Sequence, residues 1–233
     1  MRILAIGAHP DDLELLCGGT LARCAARGDQ VVMVHTCNGN KGHTVIPPAE
    51  LAVTRHREAV AAAGVIGAES ISLDFPDGEI YLNDESARRV ADAIRHAQPD
   101  LIITHDPADY HGDHTTVSQL VLAADYMATV PYYVTDRPAH STVAPIYFMD
   151  TLAGINFSPT EYVDISHALR LKKEAMAQHV SQLTWIEEHH DTDILEVIET
   201  MARFRGLQCG VRYAEGFRSA PAWGRLVPRR LLP

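Results

Sequence analysis

The chain has 233 residues, 46% of them hydrophobic, and carries a formal charge of −10. That length suits a single domain with a real core, and the acidic balance argues against a nucleic-acid partner, whose grip depends on basic surface. No apolar run approaches the roughly 20 residues of a membrane-spanning helix.

The chain opens with an apolar strand over residues 2–8 (RILAIGA). No small-residue cleavage pattern precedes the acidic pair at 11–12, so this is not read as a signal peptide, and the cytoplasm is the expected compartment. A helical period follows over 13–28, with Cys17-Gly18-Gly19-Thr20 inside it. That stretch lacks the spacing of a phosphate-cradling loop and predicts close packing of helix on sheet. Further strands are expected at 30–36, 70–75, 100–105 and 145–150. Helices are expected at 47–65, 85–97, 115–128, 167–189 and 193–206. Segments 38–48 and 130–145 are rich in Pro, Gly, Asn and Thr, and read as long loops of the kind that rim binding sites. The basic end, RLVPRRLLP (225–233), reads as a solvated tail. The four cysteines, Cys17, Cys24, Cys37 and Cys209, show no CxxC spacing and read as free thiols.

Short apolar strands alternating with helices predict an α/β fold: a Rossmann-like, doubly wound, mostly parallel sheet with helices on both faces. No repeat or linker divides residues 1–233, so one domain is expected.

Two polar clusters interrupt this pattern. The first, His9-Pro10-Asp11-Asp12, ends the first strand. Asp11 with Glu14 fits a capping box for the following helix, a reading that leaves His9 and Asp12 without a role. The second, HDPADYHGDHTT (105–116), follows the fourth strand, and Asp113 there is placed to cap a helix starting near Thr115. If the strand order is 3-2-1-4-5, that order reverses between the first and fourth strands. Ligands of open α/β sheets bind at that reversal, and both clusters would face each other across it.

A catalytic zinc takes about three protein ligands from His and carboxylate and leaves one position open. His9, Asp12 and His114 supply that set. Asp11 is then free as a general base, favoured in its ionised form by the metal and the helix N-terminus. His111 stands opposite it as a positively charged partner, and Asp113 can orient one of the imidazoles.

The pattern AHPDDxE followed by CGGT, with HGDH after the fourth strand, resembles the LmbE-like, PIG-L deacetylases. Weaker similar segments are TRHREAVAAAGVIG (54–67), KKEAMAQHVSQ (172–182) and YAEGFR (213–218). The resemblance implies a zinc-dependent enzyme that removes the N-acetyl group from an N-acetylglucosamine-type conjugate. By position it implies metal ligands at His9, Asp12 and His114, and a general base at Asp11. It also implies an oxyanion-stabilising or general-acid histidine at His111, tuned by Asp113, and a substrate contact at Arg55. The family often has Pro where this chain has Gly112. Two His and a carboxylate also suit ferrous iron. The implied partner is a small amino-sugar conjugate, with a homo-oligomer allowed. Two other functions fit the sequence. One is an amidase for a larger acyl group, with loop 130–145 setting substrate size. The other is a non-catalytic sugar- or nucleotide-binding module, against which the absent glycine fingerprint and the full ligand set both argue. His179 reads equally as a site residue or a packing residue, and His189-His190 as an exposed helix end.

Overall fold

The computed structural model describes residues 1–222 and 232–233. The basic end lies outside those residues apart from its last two, of which Leu232 is buried. Among the described residues, seven strands form one sheet: β1 (Arg2–Gly7), β2 (Gln30–Cys37), β3 (Glu69–Phe75), β4 (Leu101–Thr104), β5 (Ile146–Met149), β6 (Glu161–Asp164) and β7 (Ala214–Ser219). Their order is β3-β2-β1-β4-β5-β7-β6. The first five run parallel, and β7 is antiparallel to both β5 and β6. The helices among the described residues are α1 (Asp12–Ala26), α2 (Pro48–Ile66), α3 (Asp84–Ala97), α4 (Gly112–Ala128), α5 (Leu169–Met176), α6 (Val180–His190) and α7 (Ile194–Cys209).

Alternation along the central strands divides the core in two. In β1, Ile3 and Ala5 pack with α1, α5 and α7 residues such as Leu21, Met176 and Ile198. Leu4 and Ile6 point the other way, against Val90 and Ile94 of α3 and Val117 and Val121 of α4. A strand buried on both faces reads as a continuous apolar run, which is why β1, β2 and β4 are plain in the sequence. The expected doubly wound α/β architecture and its strand order are present.

Three local features depart from the sequence reading. Strands β6 and β7 were not anticipated: EYVD and AEGFRS are short and carry charges, so neither shows an apolar run. The helix expected over 167–189 is two helices, α5 and α6, broken at 177–179 with no Pro or Gly to mark the break. Helix α4 starts at Gly112, ahead of Thr115, with His111 as its N-cap residue.

Of the two glycines of α1, Gly19 serves close packing, against the chain just beyond β6 rather than against the sheet, while Gly18 faces Lys172 of α5 at ordinary contact distance. A Cβ on Gly19 would lie 2.9 Å from Cδ1 and Cγ2 of Ile165.

Candidate active site

Parallel strands β1 and β4 lie side by side, in register from Ile3–Leu101 to Ile6–Thr104. Their carboxyl ends deliver the two polar clusters to one crevice, at the reversal of strand order. Asp12, the first residue of α1, is the centre. Its Oδ2 accepts from the His9 backbone N–H at 2.7 Å and lies 3.3 Å from His9 Nδ1 and from His105 Nε2. Its Oδ1 is 3.3 Å from His114 Nε2. Burial opposes its charge, yet His114, His105 and His9 outweigh burial and hold the carboxyl well below the usual range.

The capping box is not formed. Asp11 makes no side-chain cap bond to α1, and Glu14 points instead into the core, 3.3 Å from Nε2 of the fully buried His179. Asp11 has φ 120°, and its Oδ2 sits 3.0 Å from Arg55 Nη2. Burial pushes the Asp11 carboxyl up, and Arg55 works against that rise.

Arg55, expected as a substrate contact, is 3% exposed. Its guanidinium donates to the carbonyls of Pro10 and Gly39 besides pairing with Asp11. The neighbouring Arg57 donates to Thr54 Oγ1.

His111 borders the crevice with its ring stacked on His114, centroids 4.5 Å apart, and edge-on to His9 at 5.0 Å. Its Nδ1 is buried without a hydrogen-bond partner. Burial, then the charges of His114 and His9, push its pKa down, which works against the positive charge expected of it.

Asp113 was expected beside His111. Because α4 begins at Gly112, Asp113 lies in its first turn and projects toward the β1 loop. There its Oδ2 accepts from His9 Nε2 (3.0 Å) and from the Gly78 N–H (2.9 Å).

Two further residues of the second cluster have roles that sequence reasoning did not separate. Asp109 Oδ2 lies 3.0 Å from His114 Nδ1, the carboxylate–imidazole contact that orients a metal-ligating histidine. His105 is fully buried, stacked on His114 at 3.9 Å, and its Nε2 accepts from the Ala8 N–H at 2.9 Å. Both lay in the quoted motif, but spacing alone does not say which of its six His and Asp side chains points inward.

One ligand atom each from Asp12, His105 and His114 lies within 4.8 Å of the others, and the same holds for His9, His111 and His114. Imidazole nitrogens and a carboxylate converging this way form the donor set of a divalent metal. The Ala8 N–H occupies the Nε2 lone pair of His105, and the expected trio of His9, Asp12 and His114 is divided between these two groups, His114 being common to both.

The crevice opens into a cavity of about 610 Å³. Besides the clusters, it is lined by Lys41 and Gly42 of loop 38–48, Asp77 and Gly78 beyond β3, and Gln182 and Trp185 of α6. Loop 38–48 is therefore a rim as expected. Loop 130–145 is not: Arg95 fastens it through the carbonyls of Val130 and Arg137, and none of its residues lines this cavity. His189 and His190 are exposed at the end of α6, with His189 against Thr44 and Trp185.

Residues 4–125, which carry both clusters, match the PIG-L family, described as GlcNAc-PI de-N-acetylase. The chain belongs to that family.

Its relatives include the diacetylchitobiose deacetylase of Thermococcus kodakarensis, 29% identical over 94% of this chain and 83% of that protein. The 4-oxalmesaconate hydratase of Pseudomonas putida is 25% identical over 93% of this chain and 88% of that one. Among solved structures, the N,N'-diacetylchitobiose deacetylase of Pyrococcus horikoshii superposes with a TM-score of 0.83 at 28% identity, covering 94% of this chain and 83% of that one. No helix among the described residues is long and apolar enough to cross a membrane.

Proposed function

We propose that this PIG-L chain is a metal-dependent N-deacetylase of N-acetylglucosamine conjugates. We assign zinc as the ion and His9, Asp12 and His114 as its ligands; ferrous iron suits the same donors. One observation carries the reading. Of two adjacent carboxylates, Asp12 is enclosed by three imidazoles, while Asp11 stands apart from them against Arg55 at the cavity.

When bound, the ion supplies Lewis acidity to a water and to the acyl oxygen. Asp11 takes the proton of the attacking water as the new C–O bond forms. Arg55 holds the Asp11 carboxylate in place and favours its charged form. His111, on the cavity wall, donates a hydrogen bond to the acyl oxygen as negative charge collects there. The C–N bond then breaks, and the nitrogen leaves as an amine with a proton from Asp11 or His111. Asp113 keeps the His9 ring in register through Nε2, and Asp109 does the same for His114 through Nδ1.

The hydratase relative brings a carboxylate as a second substrate class. Asp11, Asp77 and Asp113 line the cavity against Lys41 and Arg55, and Arg55 is already committed to Asp11. That balance favours a neutral sugar amide and a cationic amine product over a carboxylate.

The test is release of primary amine from a panel of N-acetylglucosamine conjugates, with longer N-acyl analogues and 4-oxalmesaconate alongside. Release that stops on chelation and returns with zinc supports the deacetylase. Metal-bound protein that releases no amine yet hydrates 4-oxalmesaconate overturns it, and preference for a longer acyl chain makes it an amidase.

A further inference from the structure

We propose that His9, Cys37 and Asp77 form a second metal site, which takes a thiophilic divalent ion such as cadmium or surplus zinc and competes for His9. That competition rests on the proposed ligand set above; the site itself does not.

The topology brings the three side chains together. Cys37 is the last residue of β2, Asp77 lies two residues beyond β3, and His9 lies two residues beyond β1. These strands are parallel neighbours, so their carboxyl ends share one rim. The catalytic set straddles β1 and β4, whereas this one straddles β1, β2 and β3, and His9 is the vertex common to both. One ligand atom from each of the three residues lies within 4.8 Å of the others. Tetrahedral zinc, with bonds of about 2.0–2.3 Å, spaces its ligand atoms by roughly 3.5 Å. Side-chain movements below about 1 Å therefore close the set.

A plain core role explains Cys37 only in part. The residue is fully buried and packs with the apolar cluster of Leu4 and Val34, but an imidazole and a carboxylate stand against its sulfur. The carboxylate retains donor capacity. Asp77 Oδ1 accepts from the Gly39 N–H (2.8 Å) and Oδ2 from the Lys41 N–H (3.0 Å), which leaves a second lone pair on each oxygen.

His9 presents Nδ1 toward Asp12 at 3.3 Å and Nε2 toward Asp113 at 3.0 Å. A neutral imidazole has one lone pair, so it serves one ion at a time. Mixed sulfur and nitrogen ligation selects soft ions, and the Cys37 thiol and the His9 imidazolium each release a proton to solvent on binding. His9 and Asp77 line the cavity, so an ion reaches the set through the same opening as substrate.

The experiment titrates cadmium into the metal-free full chain and follows the sulfur-to-cadmium charge-transfer band in the ultraviolet. The wild type and Cys37→Ala are compared, with Cys37→Ser as a variant closer in volume and circular dichroism as the check on folding. One band per chain that is absent from the folded variants supports the site. No band in the wild type, or the same band in a variant, overturns it; Cys17, Cys24 and Cys209 are present in every protein and serve as the internal control.

Cadmium inhibition of the zinc-loaded enzyme tests the competition. Either Cys37 variant should match the wild type without cadmium and need at least about tenfold more cadmium for the same inhibition, the scale of losing even an outer metal partner. Equal sensitivity overturns the sharing of His9. A chain with no deacetylase activity fails the proposed function, while the ultraviolet band still decides the site.

Discussion

The backbone at Asp11 has φ 120°, a conformation that costs a non-glycine residue about 1–3 kcal/mol. It lets two consecutive carboxylates face different partners, Asp12 the imidazoles and Asp11 the guanidinium of Arg55. Asp11→Asn should therefore keep its metal and lose amine release by about 10²–10⁴-fold. A metal-loaded variant with near-normal turnover refutes the base. Arg55→Lys separates two roles for the arginine. If it positions Asp11, kcat falls while KM barely moves; a raised KM at constant kcat would instead mark a substrate contact. Asp109 orients His114 from outside the ligand set, and Asp109→Asn should weaken metal affinity by about 10–100-fold in competition with a chelator.

Helix α1 carries Asp12 and depends on contacts from elements late in the chain. The N–H groups of Gly19 and Thr20, in its interior, donate to the two oxygens of Glu215 on β7 at 2.9 and 2.7 Å. The buried ammonium of Lys172, on α5, pairs with the same carboxylate at 2.5 Å. Replacing one partner leaves the other ion buried and uncompensated. Glu215→Gln is accordingly expected to lower stability by about 3–5 kcal/mol in urea unfolding. A loss below about 1 kcal/mol would mean that water reaches Lys172. The break between α5 and α6 has a similar tertiary cause, since His179 at that break is buried against Glu14 of α1.

At the scale of the whole molecule, the metal-free protein gathers positive charge where an ion is expected. Burial opposes protonation of His9 and His114, but their carboxylate partners prevail and raise them to about 10 and about 9, from 6.5. A histidine raised on folding adds stability that is complete below its unfolded value and is lost as pH climbs through its folded value. The chelated protein should thus lose melting temperature between about pH 7 and pH 10. A metal ion binds these imidazoles only once they are deprotonated, so its uptake at pH 7 releases more than one proton. The gap in melting temperature between loaded and chelated protein should widen over the same interval. Calorimetry in buffers of different ionisation enthalpy counts the protons; uptake without release refutes the protonated state.

By itself the sequence determined the parallel α/β core, because strands buried on both faces must be apolar throughout and so announce themselves. It also determined the two His/Asp clusters, since carboxylates and imidazoles crowded at strand ends are costly unless they share a cation. The tertiary structure alone decided which of those side chains meet. Glu14 left its cap for His179, Asp113 went to His9, and Arg55 went to Asp11. Such pairings depend on distances between segments far apart in the chain and leave no period in the sequence. Strand β7 was hidden for a related reason: its Glu215 finds partners only across the fold, in Lys172 and the interior of α1.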